Sequence, residues 1–131
     1  MRQKLLALSI SVLALTGGQA FAAASVMVDI NGLPYTGASN PQGLKLVAGQ
    51  PFTVDITIKG GKAADPIWLK HGDDIQMNGA GTNPQPNSDQ YSFFLTPMHA
   101  GAVTLPGFDI PVAGGGPVLH VNPIKLVVAV K

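Results

Sequence analysis

The chain has 131 residues, no cysteine, 16 glycines and 11 prolines, and a formal net charge of +1. A chain this short suits one domain, and without cysteine that domain must hold together by packing, not by disulfides or thiolate metal clips. It contains no glutamate and a single arginine, Arg2, so the basic stripe that nucleic acid or an anionic lipid surface would demand is missing.

In chain order the first feature is a targeting segment. Arg2 and Lys4 form a positive n-region, Leu5 to Leu15 an uncharged apolar h-region, and Ala20-Phe21-Ala22 a small-x-small cleavage pattern. The apolar stretch is shorter than the roughly 20 residues a membrane-spanning helix needs. Residues 1–22 therefore read as a cleaved secretory signal peptide, cut between Ala22 and Ala23. No cysteine follows the h-region to carry a lipid. The expected mature domain, 23–131, is periplasmic or secreted. It carries six lysines against seven aspartates, a net of about −1.

The mature sequence reads as strands and turns. Val26, Val28 and Ile30 alternate with Met27 and Asp29, which predicts a half-buried strand over Ser25–Ile30. Asn31-Gly32, Leu33-Pro34 and the stretch from Gly37 to Pro41 break the chain, and Leu44–Val47 reads as a short strand. The clearest strand is Phe52–Lys59: Phe52, Val54, Ile56 and Ile58 point one way, Thr53, Asp55, Thr57 and Lys59 the other. Gly60-Gly61 ends it, and a short apolar segment, Pro66–Leu69, holds the only tryptophan, Trp68.

Lys70 to Asp89 is polar and turn-rich, with one weak strand at Ile75–Met77. Gln90–Leu95 alternates again, with Tyr91, Phe93 and Leu95 as the core-facing set. Further strands are predicted at Ala102–Leu105, Phe108–Val112, Val118–Val121 and Ile124–Val130, separated by Pro106-Gly107, the Gly-rich turn Ala113–Pro117 and Asn122-Pro123. Seven to nine short strands with turn signals every 8–12 residues or so predict an all-β, immunoglobulin-like antiparallel β-sandwich. The last apolar strand is too short for a membrane anchor, and there is no second domain and no internal repeat.

A family resemblance is carried by Gln90-Tyr91-Ser92-Phe93-Phe94-Leu95-Thr96-Pro97, then Ala100 to Pro106, then Phe108-Asp109-Ile110 and Asn122-Pro123-Ile124. In the first half, Gly49-Gln50-Pro51-Phe52-Thr53-Val54-Asp55-Ile56 belongs to the same pattern. Together these segments resemble the domains of BatD-type proteins, exported proteins of the bacterial aerotolerance (Bat) group. The resemblance implies a role in the cell envelope, with a membrane protein of von Willebrand A type as a partner. BatD-type proteins usually carry several such domains and a C-terminal membrane span; this chain is similar to one domain, which suggests a soluble single-domain relative.

Catalytic chemistry finds no foothold. No serine lies in a G-x-S-x-G elbow, there is no thiol nucleophile, and Gly114-Gly115-Gly116 lacks the Lys-Ser/Thr that a phosphate loop needs. Asp73-Asp74 is a carboxylate pair in a turn without calcium-loop spacing. No catalytic residue, cofactor or established metal ligand is assigned. Candidate metal ligands are His71, Met98, His99 and His120, with Met27 and Met77 as further thioethers; His and Met together suit copper and Met98-His99 sets the two side by side, but no H-x-H, H-x-M or M-x-x-M cluster is present. Trp68, beside Pro66 and Lys70, is either a stacking platform or, as is commoner for a lone tryptophan in a sandwich, part of the core.

The expected function is a non-enzymatic protein-binding or scaffolding module of the envelope, acting through its inter-strand loops or an exposed sheet edge. Its partner would be another envelope protein, with no nucleic acid and no membrane span in the mature chain. Alternatives are a periplasmic copper carrier and an adhesin or pilus-type subunit that polymerises by strand exchange.

Overall fold

A computed structural model describes residues 24–37, 39–80 and 89–131. The cleavage site at Ala22 and Ala23 and the turn residues Gly81, Pro84 and Pro86 lie outside the described residues. The described residues contain ten strands and no helix: β1 (Ser25–Ile30), β2 (Leu33–Pro34), β3 (Leu46–Val47), β4 (Phe52–Lys59), β5 (Ile75–Ala80), β6 (Gln90–Pro97), β7 (Gly101–Leu105), β8 (Phe108–Ile110), β9 (Leu119–Val121) and β10 (Ile124–Ala129). They form a five-stranded sheet in the order β2-β1-β4-β6-β5, a three-stranded sheet β3-β10-β7, and a two-stranded ribbon β9-β8. This is the immunoglobulin-like β-sandwich the strand pattern predicts.

Period-two alternation in β4 and β6 builds the core. Phe52, Val54, Ile56 and Ile58 are buried on one face of β4, and Tyr91, Phe93 and Leu95 on the same face of its neighbour. From the other sheet come Val103, Leu105, Ile124, Leu126 and Val128, and both sets join one hydrophobic cluster. No polar or charged side chain among the described residues is buried.

The ribbon and the three-stranded sheet are one long hairpin bent in the middle. Pairs from Val128↔Gly101 to Ile124↔Leu105 and from Val121↔Phe108 to Leu119↔Ile110 keep a single register. That register sets Pro106 opposite Pro123 and Gly107 opposite Asn122, and prolines cannot donate to a ladder. Across the break both strands switch which parity faces the core: Val103 and Leu105 give way to Ile110, and Leu119 and Val121 to Ile124. Gly107 is required at this bend. A Cβ there would lie 2.6 Å from the Val121 carbonyl oxygen and 3.1 Å from the Pro123 ring.

Three features depart from the sequence reading. Asn31-Gly32 does more than break the chain. With φ of 50° and 81° at these two residues, it closes a two-residue hairpin that pairs Ile30 with Leu33 and adds β2. The strand predicted at Leu44–Val47 is confined to Leu46–Val47 and pairs parallel to β10, so the sandwich is not wholly antiparallel. The exposed side of β10 is completed by side chains: the Asn40 amide donates to the Val127 carbonyl (2.9 Å) and accepts the Val127 N–H (2.7 Å), while the Tyr35 hydroxyl accepts the Lys125 N–H (2.8 Å).

Candidate functional site

The segment after β4 is bridged at one end and, among the described residues, joins no strand along the rest. Ala63 forms an isolated antiparallel bridge to Val112, with Ala64 N–H donating to the Pro111 carbonyl and Ala113 N–H to the Lys62 carbonyl, both at 2.8 Å. Beyond that bridge the chain runs on beside β8 without pairing to it. Burial alternates as in a strand: Ile67 and Leu69 are buried, while Pro66, Trp68 and Lys70 are exposed. The two aliphatic side chains anchor the segment in the core cluster.

Between this segment and the bent hairpin lies an open cleft. One wall is Asp65 to Lys70, the other Gly107 to Pro111, including Phe108 and Asp109. Trp68 stands on the first wall with 65% of its surface exposed, which corrects the expectation that it packs between the sheets. The physical reason is its place in the alternation: Ile67 and Leu69 take the two inward positions, and Trp68 falls on the outward one between them. An exposed indole, with Pro66 on its own wall and Phe108 and Pro111 across the cleft, offers an apolar stacking surface.

The metal candidates are dispersed. His71 and Met98 line one shallow hollow, together with Met77, Asp73 and Gln76. They come together because Met98, directly after β6, donates its N–H to the Asp74 carbonyl just before β5. His99 is exposed and does not line that hollow. His120 sits elsewhere, on β9, with Nδ1 2.7 Å from Oδ1 of Asp109 on β8. Among the described residues no group of three or more His, Cys, Asp or Glu side chains could hold a metal ion. Asp73 and Asp74 are both exposed in the turn before β5.

One further arrangement escaped the sequence reading. On the outer face of the five-stranded sheet Asp29 stands directly opposite Asp55, and Asp55 accepts a hydrogen bond from the Ser92 hydroxyl. Cross-strand pairing alone could have revealed it, once β1 and β4 were known to be neighbours.

No curated protein and no solved structure matches the chain significantly. A family model does match, over residues 40–128, which contain β3 to β9, all but the last residue of β10, and every segment that carries the BatD resemblance. The match begins at Asn40, the residue whose side chain completes the edge of β10, and leaves the β1–β2 hairpin outside it. The family is described as the BatD DUF11-like domain, and the chain belongs to it.

Proposed function

We propose that this protein is a non-enzymatic binding or scaffolding module of the bacterial cell envelope, periplasmic or secreted, that recognises another envelope protein through the Trp68 cleft. BatD-family membership supports the envelope setting. Among the described residues no helix is long and apolar enough to cross a membrane. The observation that carries the recognition site is the exposed Trp68 on the wall of a cleft, held outward by two buried neighbours. A large apolar surface fixed in this way is characteristic of interface anchors.

The test is crosslinking of the tagged protein in its own cells, with mass spectrometry of what is captured. Recovery of a membrane protein bearing a von Willebrand A-type domain is the expected result. Capture of nothing above background would remove the reading.

A copper-carrying role is favoured by one observation, the hollow that gathers His71, Met77 and Met98. Thioether and imidazole donors together suit Cu(I). Titration of the purified mature domain with Cu(I) and with Cu(II) decides it: uptake should fall in the His71→Ala and Met98→Ala variants and persist in His120→Ala. Absence of uptake below micromolar concentration would eliminate this alternative.

A further inference from the structure

The Trp68 wall of the cleft is a strand without a ladder. Among the described residues, no backbone hydrogen-bond partner faces Pro66 to Lys70, although Ile67 and Leu69 are only 5% and 4% exposed. Backbone polar groups of buried residues are nearly always paired, so an unpaired run of them needs an explanation. Across the cleft, β8 pairs on one side only, with β9. Chain flanks the cleft on both sides, and the Ala63↔Val112 bridge closes one end.

We infer that this cleft takes an extended polypeptide segment of the partner, which aligns along Pro66–Lys70, pairs with its free backbone groups and packs a side chain on Trp68. The proposal rests on the binding reading above and adds its mode. Backbone pairing supplies affinity without regard to sequence, while pockets and charges beside it supply selectivity. Here Trp68 and Phe108 provide the apolar contact. Asp65 stands at the bridged end and Lys70 at the open end, so the favoured segment carries a basic residue toward the bridge and an acidic one toward the mouth. A second copy of this chain would need the same complementarity. The longest strand at the outer end of a sheet, β5, carries neither a basic nor an acidic residue and is interrupted by a register shift between Met77 and Gly79.

The test uses a displayed library of random linear 12-residue peptides, panned on the purified mature domain and, in parallel, on its Trp68→Ala variant. The expected result is at least tenfold stronger enrichment on the wild type. When an enriched peptide is then added to the wild type, the Ile67, Trp68 and Leu69 amides should exchange with solvent at least tenfold more slowly. Equal enrichment on Trp68→Ala, or binding that leaves those amides exchanging as before, overturns the proposal. Protection of the same amides by self-association at high concentration, without peptide, also overturns it by making the occupant a second copy. A captured envelope partner combined with unchanged exchange at 67–69 would leave the binding function standing and remove only this mode.

Discussion

Phe93 and Phe94 show how much a single register decides. Phe93 is 1% exposed and Phe94 39%, so Phe93→Ala should cost about 3–5 kcal/mol of stability, while Phe94→Ala should cost far less. Thermal or urea denaturation of the two variants checks this, and equal losses would mean the strand faces the other way. This pair was legible because aromatic residues alternate with Ser92 and Thr96 over a full strand. Trp68 was not legible in the same way. Its segment is too short for alternation to stand out, and its outward position depends on Ile67 and Leu69 both reaching the core. Asp29 and Asp55 carry a further prediction. Like charges directly opposite on a sheet are destabilising, so Asp29→Asn should raise stability by about 0.2–1 kcal/mol, with the gain shrinking as salt is added. A loss of stability in Asp29→Asn would show that the pair is held by something the cross-strand geometry does not supply.

The bent hairpin from β7 to β10 explains why four predicted strands sit where they do. Pro106-Gly107 and Asn122-Pro123 read as turns in the sequence, and each does interrupt a strand. Their meaning lies in their pairing: opposed in one register, they let both strands bend together without loss of alignment. Gly107→Ala should therefore be costly although it adds one methyl, because the new Cβ meets backbone and not a movable side chain. Overpacking of this kind typically costs about 1–3 kcal/mol, and a chemical denaturation midpoint measures it. The other edge of β10 was invisible in the sequence for a different reason. Asn40 and Val127 are 87 residues apart, and no local pattern says that an asparagine side chain will stand in for a strand. Asn40→Ala removes both bonds and should lower stability by about 1–2 kcal/mol. It should also speed amide exchange at Val127, which a purely local loop effect would leave untouched.

Two flanks of the domain contrast, one closed and one open. Where β10 runs, the edge is filled by β3, Asn40 and Tyr35, which blunts it against unwanted pairing. Where β8 runs, the neighbouring segment is anchored by Ile67 and Leu69, yet among the described residues its backbone is left unpaired beside an exposed tryptophan. The all-β class and the principal strands follow from period-two patterns and turn residues, which are local properties. The cleft arises from two segments distant in sequence that meet at Ala63 and Val112 and then diverge, so its existence depends on the assembled fold. The most direct measurement is site-specific photo-crosslinking in the cell envelope, with the reactive amino acid placed at position 70, on the cleft wall beside an intact Trp68, in one protein and at position 94 in another. A partner captured from position 70 and absent from position 94, which lies on the outer face of the five-stranded sheet, is the result predicted here. Capture from position 94 with none from position 70 would contradict it and move recognition away from the Trp68 cleft.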